Sequence, residues 1–145
     1  METKINVKKL LLATVIAGVV LFAVGGLWHM ALFSDYYNQK SAMDSMMGRS
    51  TPNLGVLAFA NLLEGFVLAW FYLMAYPNGS MFMDSVLFGV MTAVIGFSIW
   101  GLTNFAVFKT PDNWLVMEGG FMLAQGILTS FGIMIVTGKK TMAIA

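Results

Sequence analysis

The chain has no cysteine, so disulfides, zinc ribbons and thiol catalysis are all excluded. Charge is scarce as well. Asp, Glu, Lys and Arg make up 10% of 145 residues, against about 25% in an ordinary soluble domain. Between Lys9 and Lys139 the only basic residues are Lys40, Arg49 and Lys109. A net charge of +1 provides no electrostatic footprint for nucleic acid, which is excluded as a partner. No nucleophile–histidine–acid set, glycine-rich phosphate loop or HExxH is present. With a single histidine, His29, an imidazole-based metal cage cannot be assembled.

What fills the chain is apolar: 59% of residues are hydrophobic and the mean hydropathy is +0.80. An α-helix needs about 20 such residues to cross a bilayer. Four stretches qualify, Leu10–Phe33, Leu54–Tyr76, Val86–Phe108 and Trp114–Val136. The first follows a basic start, as a secretory signal would. It runs well past the roughly 7–15 apolar residues of a signal core and has no small-x-small cleavage site, so it reads as a true span. No alternation at strand length points to a barrel. The expected architecture is all-α, a single transmembrane domain over residues 1–145, with four helices in an up-down bundle.

The connections agree with that count. "YPNGS" (76–80) is a tight turn. "STPNL" and "KTPDN" open the second and fourth spans, with Thr51 and Thr110 as expected N-caps and Pro52 and Pro111 at the first helical position. The loop over 34–53 places Tyr36, Met43, Met46 and Met47 near helical spacing, which suggests a short interfacial helix. Basic residues set the orientation. Lys4, Lys8, Lys9, Lys139 and Lys140 lie on one side and Lys40, Arg49 and Lys109 on the other, so both termini are expected inside. The acceptor-like Asn78-Gly79-Ser80 then falls on the cytoplasmic side and is read as chance. The two Thr-Pro caps and the similar heights of Trp28 and Trp100 hint at an internal duplication, although Glu64 and Glu118 do not align within it.

Ionisable residues inside the spans are His29, Glu64 and Glu118, joined by Asn61, Asn104 and Gln125. A charge at mid-bilayer is costly, so these groups are expected to face the bundle interior. Helical spacing collects small or polar residues into one stripe per helix: Asn61, Glu64, Gly65, Leu68 and Tyr72 on the second span, and Glu118, Met122, Gln125 and Thr129 on the fourth. The expectation is a polar pocket toward the outer half, lined by His29, Asn61, Glu64, Asn104, Glu118 and Gln125, with Trp28 and Trp100 as walls. One Glu would pair with His29, leaving the other protonated or neutralised from outside the chain.

Plainer readings stand beside this one. Glu118 lies in the second turn of its helix, near the positive end of the dipole. Glu64 can hydrogen-bond with Asn61, and His29 can be an interfacial residue with no special task. Asp84 reads as a first-turn helix charge, and Trp114, Tyr36 and Tyr37 as an aromatic belt. The methionine clusters 43–48 and 81–85 invite a copper reading, but they fall on opposite sides of the membrane. A membrane-embedded reaction with Glu64 and His29 as acid and base is conceivable. No cofactor or metal is specified.

"GGLWHMALFSDYY" (25–37) with "GFSIWGLTNFAVFKTPDNWLVMEGGFMLAQGIL" (96–128) resembles a family of small four-span bacterial membrane proteins of unknown function, through Gly25, Trp28, Asn104 and Trp114. The resemblance implies a four-helix fold in a bacterial inner membrane and assigns no chemistry. Two functional classes follow from the residues. The pocket binds or passes a proton, cation or small cationic solute; or the chain is an accessory subunit of a larger membrane complex. Expected partners are the lipid bilayer and either further copies of the chain or other membrane subunits.

Overall fold

The computed structural model describes residues 5–37, 53–107 and 113–138, and among them no β-strand occurs. Four helical stretches are long and apolar enough to cross a membrane: Val7–Leu32, Leu54–Ala75, Phe82–Val107 and Trp114–Thr137. The first comprises α1 (Val7–Gly26) and a π-helical turn, Leu27–Leu32, and leads into the short α2 (Ser34–Tyr37). The second is α3 (Leu54–Ala75). The third runs through α4 (Phe82–Gly96), a second π-helical turn, Phe97–Leu102, and α5 (Thr103–Val107). The fourth is α6 (Trp114–Thr137).

The helix starts correct the expected caps. Asn53, not Thr51, caps α3 and accepts from the Val56 amide at 3.1 Å. On α6 the cap position falls to Asn113, three residues beyond Thr110. Asp84 behaves as a first-turn acid: its carboxylate accepts from the Met81 amide at 2.8 Å. At the turn, Gly79 takes the positive φ of 84° that other residues rarely adopt. Thr51, Pro52, Thr110, Pro111, most of the 34–53 loop with its methionines, and Lys4, Lys40, Arg49, Lys109, Lys139 and Lys140 lie outside the described residues.

The helices form two hairpins, α1 with α3 and α4 with α6, joined through contact of α1 with α6. Each hairpin crosses where glycine meets backbone. A Cβ on Gly65 would sit 2.7 Å from the Gly18 nitrogen, and one on Gly89 would sit 2.6 Å from the Ile127 Cα. Only glycine permits such close approach of one helix backbone to another. Between the hairpins, Leu10, Ala13 and Ala17 share a core with Ile133 and Met134, and the Gln125 amide donates to the Leu21 carbonyl at 3.3 Å.

The packing relates the two hairpins in a register that is not the one of the Thr-Pro caps. Setting Gly65 on Gly126 pairs the buried Ala69, Tyr72 and Leu73 with the buried Ser130, Ile133 and Met134. Setting Gly18 on Gly89 pairs Thr14 with Ser85 and Gly25 with Gly96. Both first helices also end in a π-helical turn.

One contact breaks this symmetry. The hydrogen bonds and ring contacts described between α3 and α4 all lie near their shared turn. The fully buried Tyr72 hydroxyl hydrogen-bonds with Ser80 and Ser85, the Tyr76 hydroxyl donates to the Asp84 carbonyl at 3.2 Å, and the Phe88 ring meets both tyrosines. By the same register Phe88 stands where α1 has Ala17. A phenylalanine in place of alanine sets a ring against α3 at this level, whereas α1 and α6 pack closely. Tyr72→Phe leaves the Ser80 hydroxyl buried without this partner, whereas Ser85 keeps the Met81 carbonyl. The expected loss is about 1–3 kcal/mol, read from the unfolding midpoint in detergent.

Candidate functional site

Glu118 is the one predicted acid that turns inward. It is 3% exposed, on the second turn of α6. Its Oε1 lies 3.9 Å from Nε2 of His29, which the first π-helical turn presents. That turn widens the backbone path where a side chain must be re-aimed, and such turns recur at functional positions. The His29 ring is fixed twice. Nδ1 lies 3.0 Å from the Gly25 carbonyl, and a carbonyl can only accept, so Nδ1 carries hydrogen and Nε2 is the nitrogen presented to Glu118. The ring also stands edge-on to Phe121 at 4.6 Å. Trp28 packs on Phe33 and Phe121, and its ring lies against Gly120, where an added Cβ would meet it at 3.5 Å.

Tyr36 on α2 completes the cluster. Burial raises its hydroxyl above the ordinary value of 10.0, and the negative charge of Glu118 raises it further. Sequence reading put Tyr36 in the aromatic belt. The only signal of its second role is its place shortly after the Trp28-His29 turn, which brings it within reach of the Glu118 charge. An unfolded tyrosine loses its proton near pH 10 and the folded one holds it longer. This contribution to stability is therefore complete below pH 10 and lost as pH rises through the folded value. Glu118→Gln is expected to lower the pH at which Tyr36 ionises without returning it to the ordinary value, because burial is the larger cause. Ultraviolet titration of each chain against its Tyr36→Phe counterpart reads the difference.

The other predicted residues do not join this cluster. Glu64 is exposed, which corrects the expectation that it faces the interior. Gly65 occupies the crossing with α1, and one residue along a helix is a step of about 100°, so Glu64 is carried to the flank of α3. Asn61 is buried, but its amide donates to the Leu57 carbonyl of its own helix at 2.7 Å. Asn104 does the same with the Trp100 carbonyl, also at 2.7 Å. Trp100 is 55% exposed and walls nothing, because its π-helical turn rotates it outward and buries Gly101 instead. Gln125 is spent in the α1–α6 contact. Of the eight predicted residues, the structure brings His29 and Glu118 together with Trp28 packed nearby on Phe121, and Tyr36 lies within reach of the Glu118 charge.

Among the described residues no group of three or more His, Cys, Asp or Glu could hold a metal ion. Met81 and Met83, from the second methionine cluster, are exposed at the turn, and the first cluster lies outside the described residues. No protein family, curated protein or solved structure matches the chain.

Proposed function

We propose that the chain is a four-span protein of a bacterial inner membrane with both termini in the cytoplasm, and that His29, Glu118 and Tyr36 bind or pass a proton or small cation near its outer face. The spanning reading is supported by the helix surface, where Leu11, Val19, Phe59, Phe71, Met91, Ile99, Val116 and Ile135 are each at least half exposed. Water penalises so large an apolar area, whereas lipid does not. Because the chain has no native cysteine, single substitutions label cleanly. Asn53→Cys is expected to react with an impermeant maleimide on intact cells, and Asn78→Cys only after permeabilisation. The reverse pattern would invert the topology.

The observation that carries the chemistry is a buried carboxylate facing an imidazole that is about one-third exposed. The separation of 3.9 Å is beyond a direct hydrogen bond and within reach of one after a small side-chain movement. A proton arriving at Nε2 makes an imidazolium beside a carboxylate, and its transfer to Glu118 leaves two neutral groups. The site can therefore take up a proton or exchange it for a small cation without burying net negative charge. The pair is to be tested in vesicles containing the purified chain, with an entrapped pH dye following the response to an imposed pH step. Vesicles that respond no faster than protein-free ones would refute the reading.

The second reading, an accessory subunit of a larger complex, is favoured by Glu64. An exposed carboxylate halfway along a spanning helix costs about 2.5–3.5 kcal/mol on the insertion scale, and a neighbour that covers it would remove that cost.

A further inference from the structure

We infer that the open side of the bundle between α3 and α4 is a docking groove for a transmembrane helix of another protein, one carrying a lysine or arginine near its midpoint. The inference rests on the membrane-spanning reading above, and it assigns to Glu64 a role separate from that of Glu118.

Two independent observations meet at this groove. The first is the internal register. Gln125 of α6, the counterpart of Glu64, lies on the flank that meets α1, where its amide reaches the Leu21 carbonyl. Carried over by the register, the corresponding flank of α3 is the one on the α4 side, and Glu64 is exposed. Near the turn the Phe88 ring packs on Tyr72 and Tyr76, and α3 and α4 are not among the closely packed helix pairs. Beyond that ring, the same stripe of α4 carries Thr92, Ile95 and Ile99, the two isoleucines exposed, and α3 offers Leu57, Ala60 and Phe71 on either side of Glu64. One hairpin side is filled and its counterpart is not.

The second observation is charge. Glu64 stands at the middle of Leu54–Ala75, about 15 Å from either end at 1.5 Å per residue, beyond the reach of interfacial water. No Lys or Arg occurs in the sequence at that depth: those present are Lys4, Lys8, Lys9, Lys40, Arg49, Lys109, Lys139 and Lys140, all near the ends of the spans. A second copy would therefore bring another carboxylate to this level and no cation. The occupant that complements the groove is a foreign helix, apolar along its length and basic at its centre.

The test uses the full chain in phosphatidylcholine vesicles, labelled through Asn78→Cys, and a synthetic 22-residue leucine–alanine helix with one central lysine. Energy transfer reports association. Preference for the lysine helix over its all-apolar version is expected to be about tenfold or more, and to vanish in Glu64→Gln. In Glu64→Lys the preference should pass to a helix with a central glutamate, which keeps the test decisive if the neutral variant is poorly behaved. Equal association of lysine and apolar helices would overturn the inference, as would a preference that survives Glu64→Gln. So would efficient disulfide dimerisation of Glu64→Cys in vesicles, because a second copy would then occupy the face. Alkaline carbonate extraction separates the two levels. A chain released from the vesicles refutes the spanning reading, whereas one that stays embedded yet ignores the lysine helix refutes only the groove.

Discussion

Gly65→Val and Gly89→Val are each expected to cost the bundle about 3 kcal/mol, the upper part of the usual overpacking range. At Gly65 the added carbon meets the Gly18 nitrogen at 2.7 Å and the Thr14 carbonyl at 2.9 Å; at Gly89 it meets the Ile127 backbone. These are main-chain atoms and cannot rotate aside, so the helices must part. Parting loses dispersion contacts along the whole crossing, and in lipid those contacts supply most of the association. Gly26→Ala is the control, since nothing lies within 4 Å of its added carbon. It is expected to leave the unfolding midpoint in a detergent titration unchanged or slightly raised. The two valine variants sit in different hairpins, so the double variant should show nearly additive losses. Strong departure from additivity would mean that the hairpins do not pack as separate units.

The four long apolar helices could be read from the sequence because finding them needs only a long apolar run, and their boundaries moved by a few residues at most. The caps moved for a local reason. In "TPN" and "TPDN" both Thr and Asn can cap, and composition alone does not choose between them. The placement of Glu64 failed for a subtler one. Asn61, Gly65 and Tyr72 do share the buried stripe of α3, and Glu64 sits at its edge. A stripe broad enough to include it was drawn from spacing, whereas the contact that decides burial depends on the neighbouring helix. Nothing local announces that α1 and α6 pack closely while α3 and α4 do not. The pairing of His29 with Glu118 was half legible, since both were placed near the same end. The π-helical turn that aims the imidazole, and the nearness of Tyr36 to the Glu118 charge, depend on backbone geometry that a 3.6-residue period does not encode.

Glu118→Gln is expected to suppress the proton response of reconstituted vesicles by about a hundredfold, the low end of what a positioned acid–base group contributes to proton transfer. Glu64→Gln should leave that response intact. The contrast is informative because the substitutions are chemically identical and only their positions differ. Glutamine keeps the volume and a hydrogen-bonding end at each site but can neither accept nor release the proton. At position 118 the change removes the group facing Nε2 of His29, so in the proposed relay a proton reaching the imidazole loses the carboxylate that would take it onward. At position 64 it acts on an exposed flank of α3, with Asn61 engaged by its own helix, and touches none of the residues in that relay. His29→Gln should reproduce the loss seen for Glu118→Gln, and combining the two should add little, as for residues that act as one unit. If Glu64→Gln alone removes the response, the relay runs along α3 and the His29 cluster is an ornament of the fold. If all three variants respond like the parent chain, the buried pair is structural and assembly through the α3–α4 side becomes the better account of what this bundle is for.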